Sequence, residues 1–505
     1  MRTYSIQHAV VLSLAPIVVV SLCQKADAQM RPPRFIHADA VWSGTVVIEH
    51  DVEILSAEVR VEPGTTIRFS GGRGAKGPVL RLSSSLFAGS ERSRPSRLVL
   101  NGTPDRPIVV ESAEAATPGA IVAAPGTTTV VNARHVIFRR LGPQMGEHTV
   151  EPALSVHPIA PEDDLWLTDC RFEDCGSVRA EFVGADAGCE IVRCTFARTR
   201  GPVAIRLMGL GTGIKVVQGN VADAAIEVAC PQTVIGGNVL VGEMASIVVR
   251  KQAGAAVTVA GNYVHCTTDK DIGRYAAKCE APDARLMDNV LAGGTYVIET
   301  TPRTAQRNVV IGAGHLEAEL GVDKDGKRLP AISAMTHALM TNISPGAVIS
   351  DNLLLGPAYV SVSVEQTAGF SMKDNYFDGW GVARQAVRFE TTATGAAEVV
   401  FTGNTVVDFS QVPIVNEARG PGVNLQARGN TFVGFAGPVW KGFAGLRDGA
   451  DDRRVASAAE LNPPVAAGRG SPTTQAAADV DELLVTGRKT PAQVHRMWFE
   501  MYGKK

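Results

Sequence analysis

The chain has 505 residues, enough for a large core or for several domains. Its 49 basic and 51 acidic residues nearly cancel and no long charge run occurs, which speaks against a nucleic-acid or anionic-membrane partner. Hydrophobic residues make up 45% but aromatics only 6%, and Gly reaches 51; with Val, Ala and Thr frequent, strands and tight turns are favoured over helices.

The first 28 residues read as a targeting segment. Arg2 precedes an apolar run from Ala9 to Cys23, and Ala26-Asp27-Ala28 offers a small-residue cleavage site before Gln29. The run is short for a membrane span and holds Pro16. Residues 1–28 are therefore expected to be a signal peptide, with an uncleaved anchor as the alternative, and the mature chain to be secreted or periplasmic with no later span. Cys23 leaves with this segment. Cys170, Cys175, Cys189, Cys194, Cys230, Cys266 and Cys279 remain. An exported location permits disulfides, the odd number leaves at least one thiol over, and no C-x-x-C pair suggests zinc.

The body of the chain repeats one short phrase. Early members are Arg134–Phe138, then Asp169-Cys170-Arg171-Phe172 and Arg193-Cys194-Thr195-Phe196. From there the position is held by Asn220, Asn238, Asn262, Asn289, Asn308, Asn352, Asn375, Asn404 and Asn430, at steps of 18, 24, 27, 19, 44, 23, 29 and 26 residues. Recurrence at such a period is the mark of a solenoid. Ala386-Val387-Arg388-Phe389-Glu390 alternates apolar and charged residues, as half-buried strands do. A unit near 24 residues fits three short strands and three bends; it lacks the leucine-rich-repeat spacing and is too short for a propeller blade. In stacked parallel coils each residue lies about 4.8 Å above its equivalent, so an inward Asn can bond to the Asn above and below. Cys170 over Cys194 continues this column as a small apolar step or as a disulfide.

Three stretches break the regularity. Residues 141–166 hold His148, His157 and Asp163-Asp164. Residues 263–284 hold His265, Asp269 and Asp271, and Cys266 and Cys279 are placed to close them as a disulfide. Residues 312–347 hold Gly314-His315-Leu316 and Asp323-Lys324-Asp325-Gly326. After about 445 the composition shifts to Ala, Gly, Pro, Arg and Asp, a linker pattern. Thr490-Pro491 then opens a helix whose apolar stripe is Val494, Met497, Trp498 and Met501, running to Tyr502. Its expected role is to cover the open end or the side of the solenoid, with partner docking as the alternative.

The stacked Asn phrases, together with VRVEPGTTIRF at 59–69 and LVLNGTPDRPIVVES at 98–112, resemble the first coils and the turns of the right-handed parallel β-helix, or pectate-lyase-like, superfamily of secreted bacterial proteins. The resemblance covers roughly residues 40–440. It implies an all-β, single-stranded, right-handed parallel β-helix over residues 29–445, followed by a linker and amphipathic helix over 446–505. It implies polysaccharide as the partner, and calcium as a cofactor for which no clear site is read. Asp323–Gly326 lacks the further oxygen ligands of a calcium loop and reads as a turn.

In such proteins a groove lies on one strand face. Counting alternation from each Asn places Arg206, Glu227, Arg250, Glu299, Arg388 and Glu390 outward on one face, with Lys251 beside them. A lyase acting on acidic glycans needs a cation to neutralise the uronate carboxylate, a base to take the proton at C5 and an acid for the leaving oxygen. Arg206, Arg250 and Lys251 are the candidates for the charge and the base. Glu227, Glu299, Arg388 and Glu390 are the candidates for substrate binding, and no metal ligands are assigned. The paired carboxylates of a glycoside hydrolase are not met. Two readings follow: a polysaccharide lyase-like enzyme, or a non-catalytic β-helix for carbohydrate binding, adhesion or surface structure.

Overall fold

A computed structural model describes residues 29–71, 77–84, 94–115, 117–143, 150–159, 165–183, 186–251, 256–268, 274–312, 338–356, 359–362, 369–381, 383–389, 397–417, 423–443, 451–457, 460–461 and 474–502. The chain winds as a right-handed parallel β-helix of three sheets, holding 15, 16 and 16 strands among the described residues. Every coil visits the sheets in the same order. In one coil Thr233–Gly236 lies in sheet 1, Gly237-Asn238 turns the chain, Val239–Gly242 lies in sheet 2 and Ile247–Val249 in sheet 3. Pairing is always with the strand one coil away and always parallel, so inward rows stack into one continuous apolar core. Phe138, Phe172 and Phe196 stand above one another at 4.5 and 4.8 Å, the spacing of the coils themselves.

The turn between sheets 1 and 2 carries the ladder. All nine Asn residues are 0–1% exposed. From Asn238 onward each Oδ1 accepts both the main-chain N–H and the side-chain amide of the Asn one coil earlier, as Asn289 does from Asn262 at 3.0 and 2.9 Å. The amide's second hydrogen goes to a sheet 1 carbonyl, for Asn289 that of Val259 at 2.9 Å. A polar side chain thus sits in an apolar wall with its donors and acceptor met by protein. The residue before each rung is left-handed: Asp288 has φ 56°, Arg307 52°, Asp351 58° and Asp374 54°, while Gly occupies 219, 237, 261, 403 and 429. Where Asp and Arg fall on successive coils they pair twice over, Asp169 with Arg193 and Asp288 with Arg307 at 2.7–2.8 Å.

Cys170 and Cys194 continue the column as a small apolar step and not as a disulfide, and the disulfide considered for Cys266 and Cys279 is absent; all seven of these cysteines are buried free thiols. The reason is in the geometry. Cys194 Sγ donates to the Leu167 carbonyl at 3.5 Å and Cys170 Sγ to that of Ala133 at 3.3 Å, the bonds an Asn amide makes on later rungs. Cys194 N–H then donates to Asn220 Oδ1 at 2.8 Å, joining the thiol rungs to the amide rungs. Cys266 ends a sheet 2 strand, whereas Cys279 points into the core from sheet 3, where burial pushes its thiol up to about 12. The 263–284 stretch expected as a loop contains two regular strands, Tyr263–Cys266 and Tyr275–Cys279. Residues 1–28, Asp163-Asp164, His148 and the 313–337 stretch lie outside the described residues.

Strand pairing continues to Arg453–Val455, past the boundary expected at 445. Two helices follow, α1 (Thr474–Val485) and α2 (Pro491–Met501). The sequence anticipates α2 with its Thr490 cap, which closes a capping box with Gln493. It does not anticipate α1. Both lie across the side of the solenoid. The outward row of sheet 2, Val239, Tyr263, Val290, Val309, Leu353 and Tyr376, is buried beneath Leu484, Val494, Trp498 and Tyr502. One polar contact pins this layer: Asp481 of α1 accepts from the Tyr263 hydroxyl at 2.6 Å and meets His265 Nδ1 at 2.7 Å. Burial holds the Tyr263 hydroxyl far above the usual phenol range, so it stays a donor.

Two outcomes are expected. Asn289→Ala strands the Asn262 donors and lowers stability by about 2–4 kcal/mol, whereas Cys194→Ala loses one weak bond and costs about 1 kcal/mol, both read as falls in thermal midpoint. Asp481→Ala leaves the Tyr263 hydroxyl buried without its acceptor and speeds amide exchange throughout α1 by about tenfold or more.

Candidate functional site

The three sheets share one backbone and differ in what they turn outward. On sheet 3 the central outward row reads Ser155, Arg179, Arg206, Glu227, Val248 and Lys278, each in register with the next. A second outward position, two residues further along each strand, brings in His157, Glu181, Arg250 and Glu280. The apolar partners between them, Ile205, Ile226, Ile247 and Ala277, are fully buried, so backbone alternation alone fixes which groups face solvent.

These groups form one band made of two bonded clusters. Glu227 accepts from Arg206 Nε at 2.8 Å through one oxygen and from Arg250 Nε at 2.7 Å through the other. Arg250 also reaches Glu280 at 3.5 Å. Lys278 bridges Glu280 at 3.2 Å and Glu299 at 2.9 Å and lies over the ring of Tyr275 at 5.6 Å. At the other end Arg179 holds Glu181 at 2.9 Å, and His157 lies 3.7 Å from the same carboxylate oxygen. The bond to Glu227 raises the Arg250 guanidinium above its ordinary value. Burial alone lowers Lys278, but Glu299 and Glu280 outweigh it and hold the ammonium above its usual range. Burial keeps the Tyr275 phenol protonated. His157 goes the other way: burial, opposed by Glu181 and helped by Arg179, lowers it and favours the neutral ring.

Of the residues marked from sequence, Arg206, Arg250, Glu227 and Glu299 come together in this band. Arg388 lies three strands beyond Glu299 and pairs with Glu417 at 2.6 Å. Lys251 is exposed just past the strand end, and Glu390 lies outside the described residues. The sequence reading missed Arg179, Glu181, Lys278, Glu280 and Tyr275. Arg179 and Glu181 had a signal, the alternation of Val178–Phe182. Lys278 was hidden in a stretch read as a loop.

No protein-family model and no curated protein matches the chain. Among solved structures it is similar to the PL6 family alginate lyase AlyGC, at 10% identity over 84% of this chain and 74% of that one with a TM-score of 0.25. An arginine-to-alanine mutant of that enzyme matches at 11% identity over 84% and 76%, with a TM-score of 0.27. Values this low add nothing to the site, which rests on its own geometry.

What that geometry does chemically is specific. A protonated Lys278 and two guanidiniums held on Glu227 are poor bases but stable cations. Calcium does not fit: the carboxylates of the band are already bound to cations, and among the described residues no three His, Cys, Asp or Glu converge on a metal-sized site. Glu227→Gln is expected to lower stability by about 1–3 kcal/mol and, by releasing two cations, to delay salt elution from a sulfated-polysaccharide resin.

Proposed function

We propose that the outward face of sheet 3 binds an acidic polysaccharide and cleaves it by β-elimination, and that the protein works outside the cytoplasm. The observation that carries this reading is the pairing of Arg179 with Arg206. They stand opposite each other on adjacent strands, about 4.8 Å apart at the backbone, with no carboxylate between them on that row. Like charges placed so repel; Glu181 and Glu227 each offset one of them, and an anion lying across both would offset them further. The Arg179 side chain is about a third exposed, so an incoming carboxylate can reach its guanidinium end beside Glu181. His157 lies beside them and is held neutral, as a base must be.

In this reading Arg179 and Arg206 grip the uronate carboxylate and stabilise the charge that develops when C5 loses its proton. His157 takes that proton. The electron pair forms the C4–C5 double bond, the C4–O bond breaks, and the leaving oxygen is protonated. The cations further along, Arg250 and Lys278, hold neighbouring sugars, with Tyr275 as a stacking surface. The alternative, a non-catalytic glycan-binding β-helix, is favoured by one fact: Arg179, Arg206, Arg250 and Lys278 are all matched by carboxylates.

Incubation with alginate, polygalacturonate and hyaluronan, following the absorbance of the unsaturated product, separates the two. An enzyme should lose about 10²-fold or more in kcat/KM with Arg206→Ala and with His157→Ala. Because the His157 pKa is lowered, the neutral base persists on acidification, and activity should fall only below the ordinary imidazole range. Binding without product formation would leave only the non-catalytic reading.

A further inference from the structure

The C-terminal helices cover the later coils of sheet 2, from Val239 on, and sheet 3 carries the charged band. Sheet 1 is different. Its central outward row is almost entirely neutral and rich in β-branched residues, and it holds four of the nine exposed large hydrophobics among the described residues, Val41, Trp166, Val234 and Val348, at 55, 37, 41 and 44% exposure. A flat row of this kind, open to solvent, is a stacking surface.

The arrangement of its charges indicates what stacks there. Apart from Arg60 near the first coil, which is bound to Glu58, the row holds two charged residues, Glu190 and Arg285. Both are exposed. Among the described residues neither makes an ion pair or a side-chain hydrogen bond, although most arginines of the sheet 3 band and of the turns are paired. Glu190 stands on the sixth strand of the fifteen and Arg285 on the tenth; Val234 stands on the eighth, midway between them and at the middle of the whole sheet.

We infer that sheet 1 is the interface of a two-fold dimer of this chain, with the axis running along the Val234 strand. Such an axis turns one sheet face onto the other and exchanges strand positions about the eighth. Glu190 of each copy then faces Arg285 of the other, Val234 meets Val234, and Val216 meets Thr258. No like-charged residues of the row oppose one another. The contact is isologous and self-complementary, as a closed dimer requires. Sheets packed face to face stand about 10 Å apart, a gap that Glu and Arg side chains span together. Fifteen strands at about 4.8 Å and a width of about 10 Å give on the order of 700 Å² per copy, close to the roughly 800 Å² per partner of a standard interface. A second copy fits this row better than a charged ligand does, because its two unpaired charges are one cation and one anion, placed symmetrically about its centre.

The test is sedimentation of the full mature chain at micromolar concentration. The wild type should be a dimer. Glu190→Arg alone and Arg285→Glu alone should each weaken association at least tenfold, because each sets like charges against each other. An equimolar mixture of the two variants should dimerise again, since the first then offers a cation at both positions and the second a carboxylate at both. Val234→Lys, on the axis, should also give monomers, and circular dichroism should show every variant folded. A monomeric wild type, single variants that remain dimeric, or a mixture of folded variants that fails to associate would each overturn the inference.

Discussion

One constraint organises this molecule: a polar side chain buried in the wall must find all its partners within the wall. A lone amide there would cost several kcal/mol, about the cost of a buried hydrogen-bonding group left open. The ladder removes that cost by repetition, because the amide of one coil is the partner of the next at the spacing that parallel strands already impose. The left-handed residue before each rung follows from it, since that conformation turns the Asn inward. So does the register of everything downstream, and the two strands that follow each rung inherit their inward and outward faces from it.

With the backbone so constrained, the three faces are distinguished by side chains alone. Sheet 2 turns out large apolar groups and needs a cover, which α1 and α2 provide, pinned through Asp481. Sheet 3 turns out cations held by carboxylates, with Arg179 and Arg206 side by side on adjacent strands, each bound to its own Glu. Sheet 1 turns out small β-branched residues with two isolated charges. Outward rows contribute little to the core, so they are free to differ without disturbing it. This separation of scaffold from surface lets one fold carry unrelated chemistry.

The scaffold was legible because the rung is short, repeated and tied to a fixed geometry. Counting from the rungs Cys194, Asn220, Asn238 and Asn289 places Arg206, Glu227, Arg250 and Glu299 on the correct face. Arg179 lies in the coil before Arg206, where the outward count is not carried back from Cys194 to Cys170. Lys278 lies in the coil where polar residues masked the strand Tyr275–Cys279. Helix α1 escaped notice because its apolar face is thin and its anchor, Asp481, is a carboxylate whose partners lie more than 200 residues away. Pairing between cations and carboxylates depends on side-chain reach across coils, which alternation does not encode.

The ladder also has a direction. Every rung donates toward the C-terminal end, so the amide dipoles add head to tail and their positive ends face the last coil, much as the peptide dipoles of a helix gather positive charge at its N-terminus. The final acceptor is not an amide. Asp452 takes the N–H and the side-chain amide of Asn430 at 2.8 and 3.0 Å, placing a full negative charge at the positive end of the column. A chain ended at 445 would keep every Asn and lose that counter-charge. The last rung would then be the weakest, and the column would open from its C-terminal end.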